Sequence, residues 1–166
     1  MKIYLGIVLG LMLAASSAIA HAARSLDGWG QFKFGMTLAQ AQRVAPVPLE
    51  WLGRTRYDFS TMIDGQKYQA NLYFNGKYRT LSSVILMGFP EKTSSRSCRD
   101  IFQNISERLS GLYGSPVRKE HQTEDFKRYE RFSFPNGGFI EVTVDDTACS
   151  TMVYYFDAAP VPKNGF

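Results

Sequence analysis

A bond between Cys98 and Cys149, the chain's two cysteines, would tie the start of a helix-like segment to the last strand-like run. Their context makes that bond the expectation. The N-terminus runs Met1-Lys2, then a block from Ile3 to Ala15 that is apolar apart from glycine, then Ser16-Ser17. Two small-x-small exits follow, Ala18-Ile19-Ala20 and Ala20-His21-Ala22. A positive start, a short apolar segment and an Ala-x-Ala exit are the three regions of a secretory signal peptide. Residues 1–22 are therefore read as a signal, cut after Ala20 or Ala22. Exported thiols meet an oxidising compartment, so a lone cysteine pair reads as one disulfide. The apolar block is short for a spanning helix, which needs about 20 strongly apolar residues. No cysteine follows it to carry a lipid, so the expected product is soluble and periplasmic or secreted, with no membrane span after cleavage.

Two helices are legible from their punctuation. Thr37 with Gln40 forms a capping-box signature ahead of Leu38, Ala41, Val44 and Ala45, and Pro46 and Pro48 end the segment. Ser97 with Asp100 opens the second. Cys98, Ile101, Phe102, Ile105, Leu109, Leu112 and Tyr113 then recur at helical spacing, before Gly114 and Pro116 stop the pattern. This predicts a helix over 97–113.

Strand signals follow each helix. Asp64-Gly65 and Asn75-Gly76 separate the runs 57–63, 67–74 and 77–89, and both dipeptides favour tight hairpins. Later, Pro135-Asn136-Gly137-Gly138 and Asp145-Asp146 separate the runs 126–134, 139–144 and 149–156. The aromatic share of 14% falls mainly in these runs, as a β-rich core uses it. The expectation is an α+β fold of two tandem α-β-β-β units, about 29–90 and 91–158. Their helices would pack on antiparallel sheet in one domain over 23–166, with a short C-terminal tail.

Phe34-Gly35-Met36-Thr37 leading into a Gln-rich helix resembles the helix opening of the outer-membrane assembly lipoproteins of the BamE (SmpA/OmlA) family. The duplicated helix–three-strand order is similar to the β-lactamase-inhibitor-protein fold. Leu112-Tyr113-Gly114-Ser115-Pro116 resembles the helix ending of such modules. The resemblance implies an envelope interaction module or a protein inhibitor and no catalysis. It departs in lacking the lipid-bearing cysteine, and it carries over no site residue.

Candidate chemistry is sparse. His21 lies at the signal's edge, which leaves His121, in the polar stretch 119–125, as the one histidine for a triad; the plain alternative is an exposed loop histidine. No metal-ligand spacing is present, so no metal and no cofactor are expected. Glu141, Asp145 and Asp146 form the densest acidic cluster, which reads as turn chemistry at a strand end. Trp29 and Trp51 read as core plugs closing the two units.

The most suggestive surface is Phe126–Phe132. On a strand, Lys127, Tyr129 and Arg131 share one face, with Phe126, Arg128, Glu130 and Phe132 on the other. The first face suits an anionic or aromatic partner; the alternative is a solvated sheet face. Arg54 and Arg56 beside Tyr57 make a second such patch. The formal net charge of +4 is spread along the chain and argues for no nucleic acid. The reading is an exported, non-catalytic binding module for a protein or an anionic envelope component. A small hydrolase-like enzyme and a structural accessory of an envelope assembly are the alternatives.

Overall fold

The computed structural model describes residues 25–53, 55–63, 65–76, 79–88, 95–124 and 126–158. The expected signal peptide, Arg54, Asp64 and the tail beyond 158 lie outside them. A two-residue ribbon, β1 (Gly28–Trp29) with β2 (Phe32–Lys33), precedes helix α1 (Leu38–Val44). Then come β3 (Glu50–Trp51), β4 (Arg56–Ile63), β5 (Gln66–Phe74) and β6 (Leu81–Gly88). Helix α2 (Ser95–Tyr113) leads to β7 (Arg118–Glu124), β8 (Lys127–Ser133), β9 (Phe139–Asp145) and β10 (Thr151–Phe156).

These eight longer-range strands form one antiparallel sheet in the order β3-β4-β5-β6-β10-β9-β8-β7. The two tandem α-β-β-β units expected from sequence are therefore not the architecture: the chain is mostly β, built on a single continuous sheet plus the small ribbon. Two causes explain the difference. The outer strands β3 and β7 carry no alternating apolar pattern, because an edge strand has little to bury. And β6 pairs along its length with β10, from Ser83↔Phe156 to Gly88↔Thr151, which fuses the halves through a ladder that no local signal announces.

Helix punctuation performs as read at the start of α1 and the end of α2, whereas α2 begins at Ser95, so Ser97, expected to open it, lies inside its first turn. Thr37 Oγ1 accepts from Gln40 N while Gln40 Oε1 accepts from Thr37 N, closing the capping box. Gly114 takes φ 77° and its N–H donates to Ser110 O, ending α2. The Asn75-Gly76 turn is different. The connection runs from 75 to 80, because Leu81 N donates to Met36 O and Gly35 N donates to Leu81 O, drawing this segment toward the lead-in of α1.

Register places Tyr68, Leu72, Val84, Val153, Val142 and Phe132 on the sheet's covered face, all buried. Helix α2 packs on β9, and Ala41 of α1 is buried in the same core. The N-terminal segment is pinned by Asn136, whose Oδ1 accepts from Leu26 N and whose Nδ2 donates to Leu26 O. The amide thus imitates a strand partner and seats Leu26, itself buried, in the core. Two glycines are obligatory here. A Cβ on Gly28 (φ 142°) would stand 2.0 Å from Phe32 O, and one on Gly88 would stand 2.5 Å from the Tyr68 ring, which lies across β6.

Candidate functional site

The disulfide forms. Cys98 in the first turns of α2 is bonded to Cys149, just before β10, across a Cα–Cα distance of 5.2 Å. Both cysteines are buried, so the bond anchors α2 over the sheet rather than offering a thiol to solvent.

The other sheet face has no helix over it among the described residues. Register puts Tyr73, Ile85, Met87, Tyr154, Phe156 and Phe139 there, on four adjacent strands and all half-buried. Phe139 and Phe156 stack with ring centroids 4.6 Å apart, and Tyr154 lies parallel to Phe156 at 6.0 Å. A solvated antiparallel face is usually polar. This one carries an aromatic and aliphatic stripe across its centre.

Lys127, Tyr129 and Arg131 are on that same face, at its β8 flank. The Arg131 charge is answered within the protein. Arg131 Nη2 stands 2.8 Å from Glu141 Oε2, and Tyr129 donates to the same oxygen at 3.2 Å. Arg131 also lies over the Phe139 ring, 4.4 Å from its centroid. Burial, then the Glu141 charge, raises the Tyr129 hydroxyl above its usual range. Lys127 is the cross-strand neighbour of Asp145. The cluster is thus an aromatic surface with its Arg131 charge neutralised and Lys127 exposed at its end, rather than a continuous cationic grip. The opposite side of β8 is as read from sequence for Glu130 and Phe132, which are buried, whereas Phe126 lies exposed in the preceding turn.

Arg56 opens β4 on the uncovered face, opposite Tyr73 of β5, while Tyr57 shares the covered face with Leu72, and Arg54 lies outside the described residues. Trp29 packs on Phe32 and Phe59 and does plug the core. Trp51 does not: it sits on edge strand β3, 67% exposed.

The acidic cluster disperses to separate tasks. Asp145 Oδ1 accepts from the Thr147 and Ala148 amides and from the Thr147 hydroxyl, and these bonds lower its carboxyl below the usual range. Asp146 holds Arg128 through two oxygens, at 2.9 and 2.7 Å. Among the described residues no group of three or more His, Cys, Asp and Glu side chains could hold a metal ion.

His121 lies on strand β7, not in a loop, with its ring edge-on to Phe102 at 6.0 Å. It borders a cavity of about 480 Å³ between α2 and β7–β8, with Ser106, Lys119 and Glu130. Glu130, its side chain 6% exposed, takes Lys119 Nζ at 2.8 Å on Oε1, while Oε2 and Ser106 Oγ are buried without a protein partner. The His121 Nε2 neighbour is Thr123 Oγ1 at 3.3 Å. Serine and histidine are therefore not hydrogen-bonded to each other, the contact by which an imidazole activates a hydroxyl nucleophile.

A larger cleft, about 770 Å³, was not read from sequence. One wall is α2, through Ile101, Ile105 and Leu112; the other is the β1–β2 ribbon with the β4–β5 turn. Its floor is Tyr68, Leu86, Val153 and Tyr155. The signal was present: the α2 stripe holds more apolar residues than the sheet covers, and Leu112 is left 55% exposed. Tyr113 donates to Gly28 O at 3.4 Å and accepts from Tyr155. Burial, then the Asp27 charge, pushes the Tyr113 hydroxyl up to about 12. Tyr155 is driven well above its usual value by burial first and Tyr113 second. Both stay neutral across the physiological range.

Among the described residues no helix is long and apolar enough to cross a membrane. No family model, curated protein or solved structure matches this chain.

Proposed function

We propose that this chain is an exported, non-catalytic binding protein whose partner is another protein, docked on the uncovered sheet face. The observation that carries the reading is the stripe of Tyr73, Ile85, Met87, Tyr154, Phe156 and Phe139 across the four central strands. Contiguous apolar surface on a folded domain marks interaction sites, and aromatic anchors dominate their energetics. The internally neutralised Arg131–Glu141–Tyr129 cluster borders that stripe, as a polar rim borders an interface core. The N-terminal signal pattern and the formed disulfide support a periplasmic or secreted location. The likeness of the Gly35-Met36-Thr37 opening to envelope assembly proteins supports an envelope partner. A hydrolase reading would need a nucleophile joined to a base, and Ser106 and His121 are not joined.

The test is affinity capture from envelope extract with the tagged mature protein, repeated with two variants. Tyr154→Ser/Phe156→Ser strips the centre of the stripe; Lys127→Ser/Tyr129→Ser/Arg131→Ser strips its flank. The central variant is expected to abolish capture of whatever the parent retains. The flank variant, whose Arg131 is already paired with Glu141, is expected to weaken it with little dependence on salt. Capture unchanged by both, at low and high salt, would remove this face from consideration.

A further inference from the structure

We infer that the cleft between α2 and the β1–β2 ribbon is a second binding site, and that its ligand is a small uncharged molecule built on an alkyl chain. The volume, about 770 Å³, lies within the range of small-molecule sites, roughly 300–1,000 Å³. Tyr68, Leu86, Val153 and Tyr155 form its floor, yet each is no more than 6% exposed. A thin chain can reach so recessed a floor; a partner's helix, about 10–12 Å across, is too broad for this volume.

Ile63, Leu86, Ile101, Ile105, Leu109 and Val153 make the interior aliphatic. The ionisable and hydroxyl groups of the lining are already engaged. Tyr68 is bonded to Gln66, Tyr113 to Gly28 and Tyr155 to Tyr113. Asp27 and Lys33 pair at 3.1 Å. Arg108, exposed on the helix wall, has its own interaction within the protein. A carboxylate or an ammonium drawn inside would therefore lose its water without gaining a partner. The mouth is apolar as well. Met62 and Leu112, on opposite walls, are 63% and 55% exposed, and an alkyl chain entering between them covers surface that water otherwise wets.

The molecule carries its own reporter. Trp29 lines the cleft, whereas Trp51, the other tryptophan, is on edge strand β3. Trp51→Phe therefore leaves a single indole in the site. The oxidised mature protein in this background is titrated with 1-octanol, 1-decanol, octanoate and octylamine, all below the concentrations at which they aggregate. The alcohols are expected to shift Trp29 emission saturably, at one per chain. 1-Decanol is expected to bind about tenfold more tightly than 1-octanol, since each buried methylene adds roughly three- to fourfold. Octanoate and octylamine are each expected to bind at least about tenfold more weakly than 1-octanol. Ile105→Phe, which narrows the cleft, is expected to weaken the alcohols. Leu112→Gln, at an exposed position that the fold tolerates, is expected to weaken them by about threefold. Either ion binding as tightly as 1-octanol overturns the proposal, as does an affinity that fails to rise from 1-octanol to 1-decanol. So does non-saturable uptake, a Leu112→Gln variant that binds like the parent, or a dimer in solution that Leu112→Gln dissociates, since a second copy would then fill the cleft. The site lies on the covered side of the sheet, so loss or retention of protein capture on the uncovered face leaves this readout unaffected.

Discussion

Single side chains set conditions that the backbone alone does not, and the tyrosines at the C-terminal end of α2 and on the sheet beneath it are the case with a pH consequence. Tyr155 donates to Tyr113, which donates to Gly28 O, so the pair hydrogen-bonds as neutral phenols in a buried place. The Tyr113 hydroxyl sits at about 12 in the folded chain against 10.0 ordinarily, and burial moves Tyr155 and Tyr68 the same way. A folded-state value above the unfolded one means the unfolded chain releases the proton first. The stabilisation is therefore whole below pH 10 and drains away as pH climbs toward about 12. Denaturant midpoints measured from neutrality upward should stay level with respect to these groups and then fall in that window. Tyr113→Phe should make the fall shallower. An equally steep fall in the variant would place the alkaline sensitivity elsewhere. The tyrosine network was not legible in the sequence, because Tyr113 and Tyr155 meet only after α2 has crossed the sheet. Asn136 is similar: its dipeptide with Gly137 announces a turn, but its amide's grip on Leu26 depends on the fold.

Elements were legible where their ends or their periodicity carry local chemistry. Helix α1 closes the box that Thr37 and Gln40 foretell, and α2 stops where Gly114 takes a left-handed turn. Strand β9 alternates Ile140, Val142 and Val144 inward as its pattern requires. Strand β7 was not legible, since Arg118-Lys119-Glu120-His121-Gln122-Thr123-Glu124 has no apolar residue to alternate; pairing with β8 alone makes it a strand. The two sides of β8 were read the right way round at Tyr129, Arg131, Glu130 and Phe132, but Glu141 on the neighbouring strand changed what that face offers. The disulfide is the element-scale feature with a measurable weight. It joins α2 to the start of β10 across a sequence separation of 51, for which loop-closure entropy gives about 4 kcal/mol as an upper figure. Cys98→Ala/Cys149→Ala should lower unfolding free energy by about 2–4 kcal/mol and loosen α2 first. Intact mass after alkylation without reductant should show no free thiol in the parent. Two alkylated thiols in exported protein would overturn the bond.

At the scale of the whole molecule the deciding contact is the β6–β10 ladder, where register aligns Val84 with Tyr155 and Leu86 with Val153. Each half of the chain presents a plausible local grammar of helix and hairpins, and that grammar predicts separable units. The ladder removes the separation: β6 is interior to the sheet, bonded to β5 on one side and β10 on the other, and so is β10 between β6 and β9. Leaving either half alone would strip a central strand of one neighbour and expose its unpaired amides and carbonyls. The sheet is therefore expected to open as one cooperative unit. Val84→Ala tests this from inside the seam. Val84 is fully buried on β6, so removing its methyl groups should cost about 2 kcal/mol. Native-state hydrogen exchange then distinguishes the two architectures. In a single unit the slowest amides of β8 and β9 lose as much opening free energy as those of β5, although no residue of β8 or β9 pairs with Val84. If protection falls in β5 and β6 alone while β8 and β9 keep the parent's values, the halves open separately and the sheet's continuity carries no cooperativity.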